Sequence, residues 1–279
     1  MGRPFIEFIH EQVLPWREGA YGGGRPDVSA RVLSVDEDQG GSSQLLRYPA
    51  GWSRPRPEVL TADEELFVLA GSLVVGGQVY GPRSYGFFPA GWLREEASSP
   101  DGALVLTFFS GEPVAVTDPS PSEIETDTTR LVRYINALEG DWGGNFHPDF
   151  PPGAGRKWLR RDPVTTEETW LLGTMPIRSG RRPEKHPVVE EMFLLSGQLI
   201  GPLGKMHPGA YFWRPPEEWH GPFGSLTGNT MLFRTVGGPL STQYTEHEVD
   251  FSWDPAHQPI LPASLHTCGG DPYGGLPEW

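Results

Sequence analysis

The sequence holds a single cysteine, Cys268, in 279 residues. No intrachain disulfide can form, so the fold does not rely on an oxidising compartment. Basic residues are also scarce: 22 Lys and Arg stand against 36 Asp and Glu, a formal net charge of −14. Nucleic acids and anionic membranes are bound through clustered Lys and Arg, so neither is an expected partner. No run approaches the ~18 apolar residues of a membrane-spanning helix. The opening MGRPFIEFIHEQVLPW has no basic stretch followed by a long apolar one, as a secretory signal requires, and lacks the Ser or Thr of a myristoylation signal. The expectation is a cytoplasmic protein that acts on a small molecule. A homodimer is the self-association left open.

What the chain has in plenty is turn formers. Its 36 Gly and 30 Pro are spread among short apolar runs, the pattern of many brief strands joined by turns. The chain also repeats itself. SRPRPEVLTADEELFVLAGSL, starting at Ser53, overlays SGRRPEKHPVVEEMFLLSGQL, starting at Ser179, with 10 identities in 21 positions and no gap. The same offset of 126 residues pairs Ile9 with Ile135, Trp16 with Trp142, Tyr85 with Tyr211, Pro89 with Pro215 and Gly111 with Gly237. This is the signature of a tandem duplication, roughly 8–111 and 134–237. Runs such as SSQLLRY, ELFVLAGSLVV, ETWLLGTMPI and GAYFWRPP read as strands, and a hundred residues of them suit a sandwich or small barrel. The intended division is a first barrel over 1–111, a linker over 112–133 with a short helix, a second barrel over 134–237, and a tail over 238–279 that wraps the surface.

One group of side chains is out of place in an apolar strand. Glu184, His186, Glu190 and Glu191 precede or open the run Met192-Phe193-Leu194-Leu195. Buried carboxylates and imidazoles need partners. Glu184, His186 and Glu190 are an even number of residues apart, so extended backbone would turn all three to one face. His220 would join them from a turn after Pro215 and Pro216. Two imidazoles with carboxylates form a donor set for a divalent first-row metal.

EKHPVVEEMFLLSG resembles the first motif of the cupin superfamily, and GAYFWRPPEEWHGPF resembles the second. Both lie in a duplicated unit, so the chain resembles a bicupin, and the three-residue spacer between His186 and Glu190 is closest to ChrR-type cupins. The resemblance implies an all-β fold of two jelly-roll barrels with one metal, Fe or Zn first and Ni or Mn as alternatives, held by Glu184, His186, Glu190 and His220. Glu184 departs from the family pattern, which has His at its place. It can ligate directly, hydrogen-bond a metal-bound water, or pair with Arg182. In the first repeat the offset carries His186 to Leu60 and His220 to Arg94, so that barrel has lost its ligands, and Arg94 is expected beside Glu64. The histidines outside the motifs, His10, His147, His207, His247, His257 and His266, are read as ordinary.

Phe193, Tyr211, Phe212, Trp213 and Trp219 stand around the ligand positions. Of these, Phe193, Tyr211 and Trp213 are expected to line an apolar substrate pocket. Two His, a carboxylate and an open position favour non-haem Fe(II) and dioxygen, hence a dioxygenase of a small carbonyl or phenolic compound. A ChrR-like zinc-binding sensor, or a Zn- or Ni-dependent isomerase or hydrolase, is the alternative.

Overall fold

The computed structural model describes residues 2–18, 25–144, 150, 152–270 and 275–279. His147 and the glycine-rich stretch 19–24 lie outside them. The described residues form short strands, with helix only as single 3-10 turns. They fall into two compact units.

The second unit holds residues 4–13 and 140–277. Its main sheet has six strands in the order Ile6–His10, Ala210–Arg214, Val189–Gly197, Asn229–Val236, Glu168–Thr174, Ala154–Arg161. A four-stranded sheet runs Arg178–Ser179, Gly224–Ser225, Leu199–Gly201, Gly204–Met206. The first unit holds residues 1–3, 14–139 and 278–279. Its sheet runs Val132–Asn136, Ser84–Phe88, Glu64–Gly71, Ala97–Phe109, Ser42–Arg54, Ser29–Val35. The two orders coincide strand for strand at the offset of 126 residues. That includes the edge strands, Ile6–His10 and Val132–Asn136.

Those edge strands displace the intended boundaries. Ile6–His10 pairs antiparallel with Ala210–Arg214, so the chain's first strand completes the second sheet. Val132–Asn136 pairs with Ser84–Phe88 and closes the first. Residues 112–133 are therefore part of the first unit, where Ala115–Thr117 also pairs with Glu58–Leu60. Their only helical turns are Pro121–Glu123 and Thr128–Arg130, each of three residues. The tail belongs to the second unit as far as Pro277, while Glu278 pairs with Arg31 and Arg47 in the first. An added edge strand removes an unpaired row of N–H and C=O groups that would otherwise template aggregation.

The interior of the second unit follows from strand alternation. Trp170, Leu172, Met192, Leu194, Phe212, Met231 and Phe233 share one buried cluster, and Met192 faces Phe212 on one side and Phe233 on the other. Trp170 stacks on Phe233 with ring centroids 5.5 Å apart. The Gly that ends the first motif has a backbone reason. Gly197 has φ of +77°, and a Cβ there would run into the carbonyl oxygen of Gly228. Gly71 repeats this in the first unit, against Gly102.

Candidate metal centre

His186, Glu190 and His220 arrive from three pieces of backbone. Glu190 opens the strand Val189–Gly197, opposite Arg214 in register. His186 follows the short strand Glu184–Lys185. His220 comes from the turn after Ala210–Arg214, and its backbone bridges back to Glu184 in both directions, each N–H donating to the other's carbonyl at 2.9 Å. That bridge sets Glu184 and His220 side by side.

Ligand-capable atoms of Glu184, His186 and His220 lie within 4.8 Å of one another. Glu190 is adjacent: its Oε1 is 3.6 Å from His186 Nε2 and its Oε2 is 3.5 Å from His220 Nε2. His220 Nε2 is 3.9 Å from Glu184 Oε1. The imidazoles are 96% and 92% buried, yet neither Nε2 has a hydrogen-bond partner. Their Nδ1 atoms sit 2.9 Å from backbone oxygens, of Ser241 for His186 and of Glu218 for His220. A carbonyl only accepts, so Nδ1 carries the proton and Nε2 keeps a lone pair aimed inward. A buried acceptor with no donor is costly unless something electropositive fills the gap. A divalent metal fits that requirement, with the outer carbonyls fixing the ring tautomers.

Electrostatics points the same way. Burial, followed by the Arg214 guanidinium, pushes His220 down to about 3, so its imidazole is neutral at physiological pH. Burial alone would raise Glu190, but its interactions with His186 and with Arg214, which also donates a hydrogen bond to it, outweigh burial and hold the carboxyl below its usual range. Burial raises Glu184 above its usual range, with His186 pulling the other way. Binding of a cation would reverse that rise.

Arg214 is the residue that sequence reasoning missed. Its Nη1 donates to Glu190 Oε2 at 2.6 Å, while Nε and Nη2 donate to the two oxygens of Glu7 at 2.9 and 3.0 Å. Arg214 and Glu7 are 98% and 96% buried. Glu190 is thus half occupied by an arginine, which leaves Glu184 as the carboxylate with the freer reach. The tail also reaches the site. Gln243–Tyr244 pairs with Glu184–Lys185, and Ser241 and Thr242 flank His186 Nδ1.

A cavity of about 80 Å³ opens beside Glu184, His186 and Glu190. Its apolar walls include Trp170, Leu172, Phe212, Met231 and Phe233, and Arg178, Arg182 and Tyr244 add polar edges. Phe193, Tyr211 and Trp213 are not among its walls. They are buried, but on the other face of the sheet, where Phe193 pairs with Tyr211 and Glu191 with Trp213. There the Tyr211 hydroxyl donates to Glu191 Oε1 at 2.6 Å and Arg234 meets Glu191 Oε2 at 2.5 Å. The pleat explains the correction. Glu190 faces the cavity, so the inward partners are Met192, Phe212 and Arg214, and the expected trio falls on the opposite parity.

The first unit places different groups at the matching positions. Arg94 Nε donates to Glu64 Oε2 at 3.0 Å, and Arg25 Nη2 lies 2.5 Å from Glu64 Oε1. Leu60 is fully buried. Among the described residues, the histidine and carboxylate group that could hold a metal is in the second unit.

The folded architecture is that of the cupins. It is similar to a Nostoc punctiforme protein described as a "putative dioxygenase", with a TM-score of 0.77 and 20% identity over 90% of this chain and 92% of that one. It is also similar to a mutant of oxalate decarboxylase from Bacillus subtilis, with a TM-score of 0.59 and 13% identity over 88% and 80% of the two chains. The family described as Domain of unknown function (DUF4437) matches residues 7–242, and the chain belongs to it. No curated protein shows a significant match.

Proposed function

We propose that this chain is a bicupin with one working metal centre, in its second barrel, and that it is a non-haem Fe(II) dioxygenase of a small carbonyl or phenolic compound. The spacing of His186 and Glu190 supports a ChrR-type arrangement. The observation that carries the reading is the pair of buried, unpartnered Nε2 atoms of His186 and His220 beside the Glu184 carboxylate. Arg214 holds Glu190, so the set is two histidines and one carboxylate, the donor group of iron oxygenases with open positions. The chemistry such a metal supplies is the joint handling of dioxygen and a substrate oxygen.

The chain's own residues have definite tasks in this reading. Ser241 and Glu218 carbonyls orient the two imidazoles. Arg214 donates to Glu190 and, with His186, holds its carboxyl below the usual range. Phe212, Phe233, Trp170 and Met231 supply a dry wall against the substrate's apolar part. At about 10–15 Å³ for one water, a cavity of about 80 Å³ holds roughly five to eight water-sized bodies and suits a compound of about that many non-hydrogen atoms. Metal analysis after purification without chelator, then anaerobic Fe(II) loading and oxygen uptake with a panel of diketones and phenols, tests the proposal. Oxygen uptake that needs both iron and one class of compound supports it. Uptake by none of the panel removes the dioxygenase assignment.

A further inference from the structure

The first barrel has a small interior cavity of about 20 Å³, among Arg25, Tyr48, Arg54, Glu58, Glu64 and Arg94. Every charged group in it is at least 92% buried. Glu64 is fully used. Glu64 receives Arg25 on one oxygen and Arg94 on the other, at 2.5 and 3.0 Å. Glu58 Oε1 lies 3.3 Å from Arg54 Nε as an ion pair, without a hydrogen bond at either atom. Three guanidiniums therefore share two carboxylates, in a chain whose overall charge is −14. Arginine does not escape by losing its proton. Burying a charge without a counter-charge is among the largest penalties a fold can carry.

The surplus has an address. Arg94 Nε is used by Glu64 and Nη1 by the Trp92 carbonyl at 3.1 Å, but Nη2 is buried without a partner. The Tyr48 hydroxyl, which accepts from Arg25 Nη1 at 3.0 Å, has a proton to give on the same cavity wall. Burial raises the Glu58 carboxyl and so weakens the negative side further.

We infer that this cavity is an anion site: it binds one monovalent anion of halide to formate size between Arg94 Nη2 and the neighbouring Arg25, Arg54 and Tyr48. Its position is informative. Glu58, Glu64 and Arg94 match Glu184, Glu190 and His220 at the 126-residue offset, so the two barrels place ligands of opposite charge at one location. Size limits the ligand, since about 20 Å³ holds roughly one to two water-sized bodies.

The full-length protein tests this. Its thermal midpoint is followed while chloride or formate replaces gluconate at fixed ionic strength, gluconate being too large for the cavity. A saturable rise with the small anions is expected. Arg94→Gln and Arg54→Gln should each weaken it by roughly tenfold or more, the loss of a charge-assisted hydrogen bond. Glu58→Gln removes a competing carboxylate and should tighten it. If Arg94→Gln does not fold, Arg54→Gln and Glu58→Gln still give opposite directions. Equal midpoints in all three salts, or an anion response unchanged in every variant, would overturn the inference. So would bromide-soaked crystals with no anomalous peak beside Arg94. None of these readouts depends on the metal of the second barrel.

Discussion

Arg214 Nη1 stands 2.6 Å from Glu190 Oε2 at the floor of the metal-competent cavity, and the rest of the guanidinium grips Glu7. Strand exchange makes this possible, because Glu7 lies on the edge strand supplied by the chain's N-terminus. The triad is buried, so its members stand or fall together. Arg214→Gln leaves two carboxylates facing each other without a cation and should cost about 3–5 kcal/mol of stability by urea unfolding. Glu7→Gln keeps the Glu190 pair and should cost less. Equal losses in the two variants would mean that Arg214 serves Glu7 alone.

The second prediction concerns the ligands. About one metal per chain is expected by elemental analysis, lost in His186→Ala or His220→Ala. Glu184→Gln should weaken binding by roughly tenfold or more, since a charged donor is exchanged for a neutral one. Glu184→His should restore it. Unchanged affinity in Glu184→Gln would move Glu184 away from the metal.

Much of this site is legible in the sequence, and the illegible parts have physical causes. The even spacing of Glu184 and His186 carries their shared direction along the short strand Glu184–Lys185, but a bend at Pro187 and Val188 separates them from Glu190, whose convergence alternation does not explain. The 126-residue offset carries the common strand order, since equivalent residues occupy equivalent strands. The cavity walls are different. Met192 to Leu195 and Tyr211 to Trp213 are buried on both faces, so apolarity does not reveal which parity points inward. Only Arg214, placed opposite Glu190, marks it. The Arg214–Glu7 pair spans 207 residues and leaves no local trace. Nor does identity between repeats show that Ile6–His10 and Val132–Asn136 complete each other's original sheets.

Parity gives the third prediction. Phe212→Ala and Phe193→Ala both remove a buried ring, and each should cost about 3–5 kcal/mol. Only Phe212 borders the cavity. Ligand affinity or substrate KM should therefore change in Phe212→Ala and stay unchanged in Phe193→Ala. The reverse pattern would return the pocket to the other face of the sheet.

The fourth concerns acid. In Glu64 burial works to raise the carboxyl, but Arg25 and Arg94 overcome it and hold it below the ordinary value of 4.5. A carboxyl lower in the folded than in the unfolded state contributes stability above its unfolded value, and that contribution is lost as pH falls. Stability of the wild type should drop as the pH passes below about 4.5, and Glu64→Gln should flatten the drop. Urea midpoints of both proteins at pH values on either side of that point provide the check. A parallel fall in the two would assign the acid sensitivity elsewhere.

The final prediction follows from reading the two barrels against each other. Glu58 and Glu64 already occupy the places of Glu184 and Glu190, and Arg25 steadies Glu64 as Arg214 steadies Glu190. At the ligand positions themselves the first barrel differs from a metal centre in two residues, Leu60 and Arg94, both buried. Arg94 puts a fixed cation where the second barrel offers a lone pair, and Leu60 offers no donor. The double substitution Leu60→His with Arg94→His removes one of the three guanidiniums and sets two imidazoles beside two carboxylates. It should raise bound metal from about one to about two per chain, and adding His186→Ala should bring it back to about one. Each single substitution supplies too few donors and should leave the content near one. A folded double variant that still binds one metal would show that the remaining guanidiniums of the first barrel's cavity, Arg25 and Arg54, are enough to repel the ion.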